Sequence, residues 1–180
     1  MSWRAVGIVY AVLALLVVAV LLDQRPPADA PIPDSAPSRS LLGVDESAVH
    51  AVVFRRGDAQ VRAERADGRW RTVEPVGAAV PPDLVDAAVA TLTAGQVSEV
   101  VAGDGKAADL AVFGLVHPSS AIVLTTDVGG APRETTVLLG DRNPTRTALY
   151  ARRAEDPRVY LVGLNVRYYE DLIFAAAGKG

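Results

Sequence analysis

The chain has 180 residues, 18 of them basic and 21 acidic, for a net charge of -3. Half of it is hydrophobic, 22% is charged and there is no cysteine. This balance excludes collagen-like and wholly disordered chains. It also excludes thiol chemistry, disulfides, cysteine-held metal and a cysteine-linked lipid anchor, and it lacks the basic field that drives nucleic-acid binding.

The basic residues are almost all arginine, with Lys106 and Lys179 the only lysines. Alongside so much Ala, Val and Gly, this reads as the coding bias of a GC-rich genome.

The N-terminus carries the strongest signal. Residues 1–4 form a short flank containing Arg4. Residues 5–22 run AVGIVYAVLALLVVAVLL, from Ala5 to Leu22, without a charge. At 1.5 Å per residue the run spans roughly 27 Å, close to the hydrocarbon thickness of a bilayer. A buried core helix would show a polar face, and this run has none. A cleaved signal peptide has a shorter apolar region. Its cleavage motif would have to be Ala28-Asp29-Ala30, with Pro31 placed to hinder the cut. The expectation is one uncleaved transmembrane helix at residues 5–22. Arg4 before the run and Asp23 after it orient the N-terminus toward the cytoplasm. The localisation expected is the cytoplasmic (inner) membrane, with the C-terminal domain extracytoplasmic or periplasmic.

Residues 23–40 read as a linker. They hold Pro26, Pro27, Pro31, Pro33 and Pro37, five of the chain's 12 prolines. Such a segment stays extended and semi-stiff. Residues 41–180 then fit a single domain in size.

Within that domain, residues 49–56 (VHAVVFRR) predict a strand. Residues 60–66 alternate Val61 and Ala63 with Arg62 and Glu64, a half-buried strand. The Asp67-Gly68 dipeptide turns the chain into a third strand at 69–74. Pro81-Pro82-Asp83 opens a helix whose apolar face is Leu84, Val85, Ala88, Val89 and Leu92, with Gly95 at its end. Residues 96–101 predict a strand, and 107–115 a short helical turn closed by Gly114. Strands at 119–126 and 133–139 flank Val128-Gly129-Gly130-Ala131 as a hairpin. Strands at 146–153 and 158–162 flank Glu155-Asp156-Pro157 as another. Asn165 is expected to cap a last helix with the apolar face Tyr168, Tyr169, Leu172 and Ile173.

Residues 63–70 echo residues 151–159, and each stretch lies in a hairpin followed by a helix. A duplicated strand-strand-strand-helix unit, in halves 41–95 and 96–180, is one explanation. Chance similarity in an Ala- and Arg-rich chain is the other. The fold class expected is α+β, mostly antiparallel hairpins and sheet with two packed helices, preceded by the transmembrane helix.

Several pieces then resemble one family. They are Gly68-Arg69-Trp70 with Val73 and Pro75, Ala108-Asp109-Leu110 running on to Phe113-Gly114-Leu115, and Leu138-Leu139-Gly140-Asp141. Tyr150-Ala151-Arg152 and Val159-Tyr160-Leu161-Val162 follow. In this order and spacing they resemble the bacterial family called domain of unknown function 4340. The resemblance implies an envelope protein found beside export-type ABC transporters related to gliding-motility systems. It carries no catalytic residues.

The residue types that could do chemistry do not form a motif. His50 and His117 stand at no metal-ligand spacing from another ligand type. Ser119 and Ser120 follow His117, but no nucleophile-elbow sequence surrounds them. Gly103-Asp104-Gly105-Lys106 lacks the Walker spacing, and Ala107 stands where Ser or Thr is needed. Residues 140–145 form the most polar loop. Asp141 and Asn143 there could meet a ligand, or could bond their own turn. Trp70, Tyr150, Tyr160, Tyr168 and Tyr169 read as core, with Tyr168 or Tyr169 the one expected at the surface.

No catalytic, cofactor-binding or metal-ligating residue is assigned, and no cofactor. The expected function is a single-pass, membrane-anchored, non-enzymatic accessory domain in the bacterial envelope. Its expected partner is an envelope or transporter protein, within an ABC-type export system, and not a nucleic acid. The alternative is an envelope ligand-binding or hydrolytic domain with a polar site at His117, Asp141 and Asn143. An anchored spacer without a specific ligand is the third reading.

Overall fold

The alternation seen in the sequence becomes a sheet with two different faces. In the computed structural model the described residues are 41–95, 99–102 and 107–178. Eight strands follow in chain order: β1 (Val49–Arg56), β2 (Ala59–Ala66), β3 (Arg69–Glu74), β4 (Glu99–Ala102), β5 (Ser120–Val128), β6 (Ala131–Arg142), β7 (Ala148–Arg153) and β8 (Val159–Gly163). Three helices accompany them: α1 (Pro82–Ala94), α2 (Ala107–Val112) and α3 (Asn165–Ala177). The strands form one sheet in the order β3-β2-β1-β5-β6-β7-β8-β4. Every neighbouring pair is antiparallel. The class is therefore α+β, as the sequence predicts.

The β2–β3 turn shows how local chemistry sets the register. Asp67 and Gly68 both have positive φ, 52° and 75°. Such turns match the twist of the strands they join. The helix that follows starts where Pro82 fixes φ without losing a needed donor. It buries Val85, Ala88, Val89 and Leu92. The β7–β8 hairpin leads in the same way into α3. The two helices pack against each other, α1 also touching β3 and α3 touching β2. The core lies between these helices and the sheet. Val52, Phe54, Val61, Ile122, Leu124 and Leu139 supply it from the strands. Leu41 and Leu42, each 4% exposed, tuck the start of the described chain into the same core.

Several sequence expectations are corrected. Strand β6 runs to Arg142, so Gly140 and Asp141 belong to a strand and not to the polar loop. Strand β4 is described from Glu99 to Ala102, while residues 96–98 of the predicted strand lie outside the described residues. The N-cap of α3 is Leu164, not Asn165. Asn165 is the first helical residue, and its Oδ1 accepts from the Val166 amide. The buried face of α3 is also rotated from the predicted one. Val166, Glu170 and Ile173 are buried, whereas Leu172 is 37% exposed, and Tyr168, one of the two tyrosines expected at the surface, is 59% exposed. Spacing of apolar residues misassigns this face because Glu170, a charged residue, is buried through its ion pairs with Arg56 and Arg167.

Among the described residues no helix is long and apolar enough to cross a membrane. Residues 5–22 and the linker at 23–40 lie outside the described residues.

Candidate functional site

Two of the pieces that carry the family resemblance meet in space. Phe113-Gly114-Leu115 follows α2, and Leu139-Gly140-Asp141 lies in β6. The Asp141 amide donates to the Phe113 carbonyl at 3.0 Å. Gly114 has φ +68°, and a Cβ built there would lie 2.6 Å from the Asp141 carboxylate. A Cβ on Gly140 would fall on the Phe113 carbonyl oxygen and against the Leu115 side chain. Each glycine thus makes room for the other segment. Phe113 also packs at a tilt against Tyr150 of β7, with ring centroids 4.6 Å apart.

Of the polar residues suggested by the sequence, Asn143 has structural work. The Asn143 side-chain oxygen accepts from the amides of Thr147 and Ala148, at 2.9 and 3.1 Å. Its nitrogen donates to the hydroxyls of Thr145 and Thr147. Those bonds hold the β6–β7 turn, the bonding expected of Asn in such a loop. Asp141 is exposed and stands over Gly114. His117 is exposed in the loop before β5. His50 Nδ1 lies 3.6 Å from Asp127 Oδ2. Among the described residues no group of three or more His, Asp or Glu side chains is placed to hold a metal ion.

Sequence reasoning missed the two buried carboxylates. Glu170 of α3 is fully buried. Its carboxylate accepts from Arg56 Nε at 3.3 Å and Ser120 Oγ at 3.1 Å. It also pairs with Arg56 and Arg167 at 3.1 Å each. Arg56 reaches Asp171 at 2.7 Å and lies over the Phe174 ring, and Arg167 donates to Ser119 and Ser120. This network ties β1, β5 and α3 together. A charge can occupy the core only because its lone pairs are met by paired donors.

Asp156, in the β7–β8 turn, is 5% exposed. It accepts from Arg158, from Arg153 at 2.7 Å and from the Tyr160 hydroxyl at 2.7 Å. The hydrogen bonds from Arg158 lead the effects that hold its carboxyl well below the usual carboxylate range. Burial, together with its bond to Asp156, raises the Tyr160 hydroxyl. Both carboxylates are fully engaged inside the fold, which suits them to architecture more than to proton transfer.

Two of the surface concavities differ in character. A cleft of about 590 Å³ is lined by Asp45, Thr126, Asp127, Arg133, Arg153 and Glu155, among others. His117, Asp141 and Asn143 are not among its lining residues. A groove of about 310 Å³ between α1 and α3 is lined by Ala79, Pro81, Leu84, Leu172, Ala175 and Ala176.

The profile of the family described as "Domain of unknown function (DUF4340)" matches residues 70–173. The chain belongs to the DUF4340 family. The matched span begins at Trp70, which is 2% exposed and donates from its indole nitrogen to Asp86 of α1 at 3.1 Å. It ends at Ile173, fully buried on α3. The DUF4340 span therefore runs from the helix-facing side of β3 to α3, through the interlocked glycine segments. No curated protein and no solved structure matches the chain.

Proposed function

We propose that this DUF4340 chain is a single-pass, membrane-anchored accessory domain of the bacterial envelope. In this reading it is non-enzymatic and binds another envelope protein, as an auxiliary component of an ABC-type export system. The anchor is residues 5–22, and the proline-rich residues 23–40 tether the domain near its partner, raising the effective concentration. The transporter connection rests on the family resemblance. The observation that carries the reading is the use of the polar groups. Glu170, Asp156 and Asn143 each spend their side-chain bonds on holding the fold. What the molecule leaves available is surface, and above all the face that β1–β3 turn away from α1 and α3. The two hairpin-to-helix units, ending in α1 and α3, also support an origin by duplication.

The test is crosslinking in intact cells followed by detergent purification and mass spectrometry, on the full chain and on a version lacking residues 5–22. The reading expects a transporter permease or ATPase with the full chain. Recovery of no envelope protein from either would contradict it and would favour a ligand-binding or hydrolytic role around His117 and Asp141.

A further inference from the structure

We propose that the cleft between residues 42–48 and the ends of β5–β7 binds a short peptide with free ends and a basic side chain. This site is additional to the docking role above and does not depend on it.

Strand alternation builds its floor. Val49, Leu124 and Val137 belong to the core. Thr126 pairs with Val49, Thr135 with Leu124 and Arg153 with Val137, and Arg133 pairs with Thr126. These four side chains therefore rise on the core side of the sheet, where all of them line the cleft. Thr126 and Thr135 are buried, at 2% and 7% exposure. The Thr126 hydroxyl makes one long bond, to the Arg133 carbonyl at 3.4 Å. Among the described residues the Thr135 hydroxyl has no partner. A buried hydroxyl left unmet is unusual, and this one opens on the cleft.

Charges of both signs are left unmet in the same place. Asp45, Asp127 and Glu155 line the cleft with Arg133 and Arg153. Among the described residues Arg133, Asp45 and Glu155 form no ion pair, and the Asp45 side chain makes no capping bond to the turn that follows it. Asp127 has only His50, at 3.6 Å. Arg153 is committed to Asp156, which also holds Arg158. The cleft thus offers one free guanidinium among three carboxylates. Those carboxylates are not placed to share a metal ion, so separate organic cations complement them.

The spacing suits a peptide. Arg133 lies on the middle strand, β6, with Asp127 on β5 to one side and Glu155 just past β7 to the other. Neighbouring strands stand about 4.8 Å apart, and a dipeptide extends roughly 7 Å. The terminal carboxylate of the ligand meets the Arg133 guanidinium through paired hydrogen bonds, beside the Thr135 hydroxyl. Its amino end and its basic side chain meet the carboxylates on either side. A volume of about 590 Å³ is that of a small-ligand site.

The test is titration calorimetry on the full chain in neutral detergent. The probes are alanyl-lysine, its C-terminal amide, its N-acetyl form and alanyl-glutamate. Alanyl-lysine should bind saturably. Amidation and acetylation should each weaken it about tenfold, and alanyl-glutamate should bind more weakly still. Arg133→Gln should weaken alanyl-lysine about tenfold but leave its amide within about twofold, because the amide lacks the carboxylate that Arg133 meets. Glu155→Gln should weaken alanyl-lysine as well, while Asp83→Ala, on α1 and outside the cleft lining, should leave it within about twofold. Arg133 and Glu155 are exposed, so the fold should survive, and an unchanged thermal midpoint would verify that. No saturable binding of alanyl-lysine up to about 10 mM, equal binding of alanyl-lysine and its amide, or binding indifferent to Arg133→Gln would overturn the proposal. Free lysine binding as tightly as alanyl-lysine would overturn the choice of a peptide.

Discussion

The carboxylate of Asp141 lies over Gly114, so close that a Cβ at position 114 would stand 2.6 Å from it. Twenty-six residues later in the chain, Gly140 returns the arrangement by leaving room for the Phe113 carbonyl. These two short pieces are one structural joint, fastening the segment after α2 onto β6.

That joint predicts an ordering of two substitutions. Gly114→Ala combines a positive φ with a carboxylate that can swing aside into solvent, and should cost about 1–2 kcal/mol. Gly140→Ala meets a backbone oxygen that cannot swing, and should cost about 3 kcal/mol or more. Urea unfolding of the two variants measures the difference. The opposite order would show that the segment after α2 is free to shift.

Glu170→Ala should destabilise the domain by about 2–4 kcal/mol, because it strands Arg167 and Ser120 without their acceptor. The figure lies toward the low end of buried ion pairs because Arg56 keeps Asp171 and is 32% exposed. Thermal unfolding checks it, and a loss below about 0.5 kcal/mol would mean that the network is dispensable.

Asp156 predicts a pH dependence. Its folded carboxyl titrates below the unfolded one. The native state then binds fewer protons than the unfolded state in acid. Its contribution is fully present above about pH 4, the ordinary range of Asp, and is lost as the pH falls further. The stability gap between wild type and Asp156→Asn should be constant near neutrality and shrink below about pH 4. The raised Tyr160 hydroxyl works at the other limit. Its contribution is present below about pH 10 and lost as the pH rises further. Urea midpoints across pH measure both limbs, and a gap for Asp156→Asn that widens in acid would contradict the assignment.

Asp86→Ala should leave the buried indole nitrogen of Trp70 without its acceptor and free Arg65, which lies over the ring at 4.9 Å. The expected cost is about 1–2 kcal/mol. Tryptophan fluorescence should shift as the ring environment changes, and an unchanged spectrum with unchanged stability would argue against the bond.

Much of this fold is legible in the sequence where signals are local. Strands β1 and β3 match their predicted limits, because β-branched runs end at turn residues such as Gly57 and Asp67-Gly68. The buried face of α1 follows from spacing alone. What was not legible depends on distant partners. Glu170 is buried because Arg56, 114 residues earlier, meets it, and no local pattern announces that pairing. The same rotation that buries Glu170 leaves Leu172 partly exposed, while Tyr168 stands at the surface as one of the two tyrosines expected there. Asn143 was legible as a turn residue, and its four side-chain bonds bear that reading out.

Photocrosslinking from two positions of the full chain in intact cells is the most direct measurement. A benzophenone side chain would replace Arg71 on the open sheet face or Asp83 on the helix face. A discrete product with one envelope protein from position 71, weak or absent from position 83, is the predicted result. No product from position 71, or the same product from both, would contradict an interaction domain that presents its open sheet face.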